Sequence, residues 1–140
     1  MLATATFRIP THRCHVPTAR HHVHKALADW GITGELADRA TLSANELVTN
    51  AVSHCRVSSA RVRVTLILCD RELALEVSDP DRDRLPLPRH PGPDEEGGRG
   101  LAMVAALADA WGHRQGPYTK TVWARFTLTP AEATRVPDRP

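Results

Sequence analysis

A segment from about residue 35 to residue 54 constrains the fold of this chain most, because its apolar residues recur at helical spacing. The recurring positions are Leu36, Ala40, Ala44, Leu47, Val48 and Ala51. Directly after this segment, residues 61–68 and 72–78 alternate apolar and polar side chains around a short turn, which predicts a β-hairpin with one apolar face. We expect helices to cover that face.

Shorter segments extend this arrangement. An edge strand is predicted at residues 3–9, a first helix at 17–30, and two more short strands at 110–114 and 120–128. The expected fold is an α/β (α+β) two-layer sandwich, in which a mixed, mostly antiparallel sheet carries helices on one face.

The composition is that of a globular chain. It has 140 residues, of which 41% are hydrophobic and 24% charged, with a net charge of +2. We expect an N-terminal strand and extension at residues 1–14, a domain at 15–128 and a disordered C-terminal tail at 129–140.

The charge and apolar patterns exclude some classes of function. The 18 Lys and Arg residues are scattered, so no nucleic-acid-binding stripe is indicated. No apolar run approaches the roughly 18 residues that span a bilayer, and the three cysteines lack paired spacing. We therefore expect a cytoplasmic protein with reduced thiols that binds neither nucleic acid nor a membrane.

Two polar residues on the long helix suggest chemistry. Glu46 and Asn50 are four residues apart, so they lie on one helical face, one turn from each other. A site that holds a hard metal ion and activates a hydroxyl group or water needs an oxygen ligand and a nearby base. The alternative interpretation is a solvated helix face.

Asp79 follows the second strand of the hairpin. It continues the odd-numbered apolar series of Leu73, Leu75 and Val77, so one more residue of strand would point its carboxylate toward the apolar face. A buried carboxylate must be paired or hydrogen-bonded, and a ligand that offers donors would satisfy it. The alternative is a turn former or a helix cap.

A charged, Pro-rich segment at residues 80–98 separates Asp79 from the next helix. A stretch of this length without regular periodicity is often functional, commonly as a lid, and the alternative is a plain linker. It ends in Gly97-Gly98-Arg99-Gly100, directly before an apolar helix that starts at Leu101. Free backbone N–H groups and the helix dipole at such a start favour an anion such as phosphate.

Taken in order, these features resemble the ATP-binding domain shared by gyrase, the ninety-kilodalton heat-shock chaperones, mismatch-repair ATPases and histidine kinases (the GHKL superfamily, with the Bergerat fold). More narrowly, the sequence resembles the small stand-alone anti-sigma factor serine kinases and their actinobacterial relatives. The resemblance covers about residues 15–128. It rests on Glu46–His54, which matches the N-box, on Gly98–Leu101, and on the later motifs Ala110–Gly112 and Lys120–Trp123.

The resemblance implies a role for each matching residue. Asn50 would ligate a Mg²⁺ ion that bridges the nucleotide phosphates, and Glu46 would accept the proton of a serine hydroxyl on a protein substrate. Asp79 would accept a hydrogen bond from the adenine amino group. The other implied contacts are Gly98, Arg99, Gly100, Leu101 and His54 near the phosphates and Thr121 at the base. Strand parity, however, groups Lys120 with the apolar positions and turns Thr121 away from them.

The function that this resemblance implies is an ATP- and Mg²⁺-dependent serine/threonine protein kinase of the anti-sigma type. Its partners would be an anti-sigma factor antagonist and/or a sigma factor. Stand-alone relatives commonly dimerise, which leaves a homodimer open as an alternative to a monomer. No dimerisation helix with a phosphoacceptor histidine precedes the domain, so a complete histidine kinase is not expected.

One departure from the family pattern keeps an alternative open. The family has Asp-x-Gly-x-Gly where this chain has Asp79-Pro80-Asp81-Arg82-Asp83. Glycine permits a close approach to the base, so the bulkier residues here predict a reduced nucleotide affinity. The alternative function is therefore a nucleotide-gated protein-binding module without phosphoryl transfer.

A third interpretation concerns a cluster of histidines near the N-terminus, which together with Cys14 offers ligands that zinc accepts. The cluster consists of His12, His15, His21, His22 and His24. Neighbouring histidines on a helix cannot all converge on one ion, and no Cys-x-x-Cys accompanies them. Exposed helix residues or a partner-binding surface are the favoured interpretation.

Overall fold

The chain forms a five-stranded sheet with helices on one of its faces. The structure is a computed structural model that describes residues 2–55, 60–81 and 99–135. The elements in chain order are β1 (Leu2–Pro10), a 3-10 turn (Arg13–His15), α1 (Val16–Asp29), α2 (Gly34–His54), β2 (Arg61–Cys69), β3 (Glu72–Asp79), α3 (Arg99–Leu107), β4 (Ala110–Gln115), β5 (Lys120–Thr127) and α4 (Pro130–Arg135).

The strand order in the sheet is β1-β2-β3-β5-β4. The predicted two-layer fold class is confirmed, with one correction. Every pairing among the described strands is antiparallel, so the sheet is not mixed. Short turns connect β2 to β3 and β4 to β5, and a short turn can join only antiparallel neighbours. The pairing of β3 with β5 is antiparallel as well.

The core lies between the sheet and α1, α2 and α3. Val62, Val64 and Leu66 of β2 are buried while the arginines between them are exposed, which is the predicted period of two. The stripe of α2 is buried over its whole length, from Leu36 to Ala51. Removal of this apolar surface from water stabilises the two layers against each other.

Local backbone conformation explains where the elements end. Pro17 occupies the first turn of α1, where its missing N–H group removes no helical hydrogen bond. Gly31 follows that helix with φ of 79°, a left-handed conformation that glycine adopts without steric cost. Asp70 takes φ of 55° in the β2–β3 turn, where a short polar side chain tolerates this region best.

A helix occupies part of the segment that was expected to be a disordered tail. Helix α4 starts after Thr129, whose Oγ1 accepts a hydrogen bond from the N–H of Glu132 at 3.1 Å. The carboxylate of Glu132 accepts one in return from the N–H of Thr129 at 2.8 Å. This reciprocal capping box satisfies two donors at the helix start and stabilises α4.

Within the part of the chain that the structure describes, no helix combines the length and the apolar character that crossing a membrane requires.

Candidate functional site

Strand β3 extends through Asp79, so the carboxylate points toward the covered face of the sheet, as its parity predicts. Asp79 is only 2% exposed. A carboxylate at this depth is costly unless it accepts hydrogen bonds or pairs with a cation.

Two groups of the chain itself satisfy this carboxylate. Oδ1 of Asp79 accepts a hydrogen bond from the backbone N–H of Asp81 at 2.8 Å. Oδ2 lies 3.5 Å from Nζ of Lys120, which is Asp79's direct partner in the pairing of β3 with β5. Lys120 is itself buried, so water has little access to this ion pair.

Burial affects the pKa of Asp79 more than the ion pair with Lys120 does. Burial raises the pKa of the Asp79 carboxyl above its ordinary value of 3.8, and the charge of Asp81 acts in the same direction. The Lys120 ammonium and the N–H of Asp81 lower this pKa and offset the effect of burial only in part. A hydrogen-bond donor from a ligand would further stabilise the ionised form.

Helix α2 carries the other two predicted chemical groups. Glu46 and Asn50 are half-buried at the edge of its apolar stripe. The same helix packs against β3, which ends at Asp79, and against α3, which starts at Arg99. Helix α2, which carries Glu46 and Asn50, therefore contacts both the strand that contains Asp79 and the helix that follows the glycine-rich turn.

The start of α3 meets the prediction of a helix directly after the glycine-rich turn. Arg99 and Gly100 are its first two residues, and the side chain of Leu101 is buried in the core. Leu101 therefore can offer a ligand only its backbone. The predicted contacts at Gly98 and at the side chains of Arg99 and His54 lie outside the described residues, although the backbone of His54 ends α2.

Thr121 is on the opposite side of the sheet from Asp79. Its Oγ1 lies 2.7 Å from Oγ of Ser78, and both side chains are buried. The parity argument, which turned Thr121 away from the apolar positions, agrees with this placement. The side chain beside Asp79 is that of Lys120.

The N-terminal histidines do not converge. The ring centroids of His12 and His15 are 6.3 Å apart, and the ring of His22 lies 5.0 Å from that of Phe7 of β1, tilted by 43°. Among the described residues, no group of three His, Cys, Asp or Glu side chains could hold a metal ion. The structure therefore gives the zinc interpretation no support.

Sequence reasoning missed Lys120 and Asp81 as members of the site. One signal was available for Lys120, because its strand parity places an ammonium among apolar residues, and a buried ammonium requires a carboxylate. Asp81 gave no such signal, since its burial depends on how the chain turns after Pro80.

Comparison with known proteins identifies the class of this domain. Residues 9–126 match the family model of the histidine kinase-like ATPase domain. The chain therefore belongs to that family. Membership implies ATP binding, usually with Mg²⁺. A search among curated proteins found no match to this sequence.

Two solved structures share the fold. One contains the RsbU and RsbW domains of Rv1364c from Mycobacterium tuberculosis, with a TM-score of 0.69 and 21% identity over 90% of this chain. The other is the histidine kinase domain of the blue-light activated histidine kinase of Erythrobacter litoralis EL346, with a TM-score of 0.50 and 18% identity over 89% of this chain. This chain spans 32% of the first structure and 66% of the second. At these identities the likeness concerns the fold alone.

Proposed function

We propose that this protein is an ATP- and Mg²⁺-dependent regulatory kinase that phosphorylates a serine on a small antagonist protein, as anti-sigma serine kinases do. The observation that carries the proposal is that α2 packs against the strand that ends in buried Asp79 and also against the helix that starts at Arg99. Glu46, one turn from Asn50 on the same helix, adds a base that nucleotide binding alone does not need.

The residues present fit a nucleotide with its metal ion. A carboxylate has about four lone-pair positions. The contacts of Asp79 with Asp81 and Lys120 leave lone pairs that could accept a hydrogen bond from the amino group of adenine. Asn50 offers an amide oxygen, the type of ligand that Mg²⁺ accepts in proteins. When bound there, Mg²⁺ would offset negative charge on the phosphate oxygens.

In the proposed reaction, Glu46 acts as the general base. The serine oxygen forms a bond to the terminal phosphorus of ATP, the bond from that phosphorus to the leaving oxygen of ADP breaks, and the hydroxyl proton passes to Glu46. The first N–H groups of α3, which have no partners within the helix, would contact phosphate oxygens.

A second function is a nucleotide-gated binding module without phosphoryl transfer. The observation in its favour is that Asp79 already has two partners within the chain, so a nucleotide must share the carboxylate with Lys120 and Asp81. That requirement lowers the expected affinity for ATP and would suit a partner-binding switch better than an efficient kinase.

Substitution of Glu46 separates these functions. With the antagonist protein as substrate and radiolabelled ATP, Glu46→Gln should abolish phosphoryl transfer while ATP affinity changes little, because the amide keeps the shape and loses the basicity. The matched control is Asp38→Asn, which removes an exposed carboxylate from the same helix. Transfer by Glu46→Gln at the wild-type rate would refute the kinase mechanism. Partner binding that depends on ATP, without transfer by the wild type, would establish the second function.

A further inference from the structure

Three arginines lie on the face of the sheet that none of the described helices covers, which is called the uncovered face below. Arg61 and Arg63 are exposed and alternate with buried valines of β2, so both side chains point away from the core. Arg8 of β1 is the direct cross-strand partner of Arg63. Directly opposed side chains of an antiparallel pair lie about 5 Å apart at Cβ, so Arg8 and Arg63 begin as close neighbours on this face.

The three arginines line a cavity at the open end of the β2–β3 hairpin, away from its turn. The cavity has a volume of about 270 Å³ and is lined by Arg8, Arg61, Arg63, Ser78, Asp79, Pro80 and Thr119. Two of the polar lining groups are already satisfied, because the hydroxyl of Ser78 pairs with Thr121 and the carboxylate of Asp79 with Lys120. The groups left to bind a ligand are chiefly the three guanidinium groups.

Other arginines of the same face differ in having carboxylate partners. Arg114 lies in the same cross-strand row as Arg63, joined through Ser78 and Thr121, and its Nη2 is 3.1 Å from the carboxylate of Glu76. Arg125 likewise pairs with Glu72 at 3.3 Å. Between residues 2 and 135, within the described ranges, no ion pair joins Arg8, Arg61 or Arg63 to a carboxylate.

Like charges placed directly opposite each other on a sheet destabilise the folded state. An anion between them would reverse the sign of that interaction, and a planar guanidinium fork matches the oxygens of phosphate in pairs. From these observations we propose that the cavity lined by Arg8, Arg61 and Arg63 is a binding site for a phosphate group. It is a second site beside the nucleotide site around α2, and Asp79 belongs to the lining of both. A phosphate group suits this cavity better than a single carboxylate. It carries up to two negative charges, whereas a carboxylate offers one to the three positive charges of the arginines.

The phosphate has two possible sources, a free polyphosphate ion or a phosphorylated side chain of a protein. Calorimetric titration with inorganic pyrophosphate and, separately, with O-phosphoserine distinguishes them, since the natural source should resemble the tighter probe. Arg63→Gln should weaken binding of that probe about tenfold or more. The matched control Arg114→Gln should change it by about twofold or less, because its charge is held by Glu76.

The nucleotide site could also bind pyrophosphate through Mg²⁺, so each titration is repeated with Asn50→Ala in the presence of Mg²⁺. Binding that survives Asn50→Ala and is lost in Arg63→Gln supports the arginine site. Binding lost in Asn50→Ala and kept in Arg63→Gln overturns it and leaves the proposed kinase function standing. Absence of binding by both probes also overturns it. Arg63→Gln should keep the wild-type melting temperature or exceed it, because the substitution relieves the repulsion from Arg8.

Discussion

At the scale of single residues, the Asp79–Lys120 pair connects stability with the proposed nucleotide site. Its side chains are 2% and 7% exposed, so neither charge is compensated by water. Asp79 and Lys120 are directly opposed in the pairing of β3 with β5, and both side chains are buried on the covered face of the sheet. Removal of the Lys120 ammonium would leave a buried carboxylate that keeps its hydrogen bond from the N–H of Asp81.

Lys120→Met tests the contribution of this pair to folding. We expect the free energy of unfolding to fall by about 3–5 kcal/mol, because Asp79 would keep its buried charge without a cation. Urea denaturation measures the change, and Lys25→Met, at an exposed position of α1, is the control. The double variant Asp79→Asn/Lys120→Met should recover part of the loss. A Lys120→Met variant as stable as the control would show that the pair contributes nothing.

The raised pKa of Asp79 predicts how stability depends on pH. The folded state binds the Asp79 proton more tightly than the unfolded state, so this group stabilises the fold below its ordinary pKa of 3.8 and loses that contribution as the pH rises through its folded pKa. The unfolding free energy of the wild type minus that of Asp79→Asn should therefore decrease across this range. Paired urea titrations at a series of pH values measure it. An increase with pH would mean that Lys120 outweighs burial.

At the scale of elements, the pairing of β4 with β5 depends on a glycine. Gly112 lies directly opposite Trp123, and a Cβ atom added to Gly112 would lie 2.6 Å from Cζ2 of the indole ring. The guanidinium group of Arg125 covers the same ring at 4.6 Å from its centroid. Trp123 thus fills the space that the missing side chain leaves.

Gly112→Ala should lower the free energy of unfolding by about 1–3 kcal/mol, because the indole or the strand must shift to admit the methyl group. Thermal denaturation gives the change. In a Trp123→Leu background the same substitution should cost much less, since the clashing ring is gone. Equal costs in both backgrounds would show that the glycine is needed for another reason.

Sequence patterns predicted the elements with strong periodicity and missed those that depend on local caps. The alternation in β2 and β3, and the inward direction of Asp79, followed from parity alone. Helix α4 was overlooked, although Thr129 and Glu132 have the spacing of a capping box, because six residues show too little apolar periodicity.

At the scale of the whole molecule, the two faces of the sheet carry different groups of residues. The covered face holds the core and the proposed nucleotide site, and the uncovered face holds the arginine cavity. Both reach the end of β3, where Ser78 points to one side and Asp79 to the other. This arrangement could not be predicted from sequence, because it depends on the register between β3 and β5, which are separated by the segment 80–119.

We propose above that the face of α2 with Glu46 and Asn50 binds ATP together with Mg²⁺. Calorimetric titration of the wild type with ATP, with and without Mg²⁺, tests it most directly, alongside Asn50→Ala. The control is Asn45→Ala, an amide on the same helix that accepts a hydrogen bond from Arg20 of α1 at 3.3 Å.

We predict that Mg²⁺ strengthens ATP binding by the wild type and by Asn45→Ala, and that Asn50→Ala loses this strengthening. A folded wild-type protein that does not bind ATP at near-millimolar concentration, or an Asn50→Ala variant with an unchanged response to Mg²⁺, would refute the proposed site.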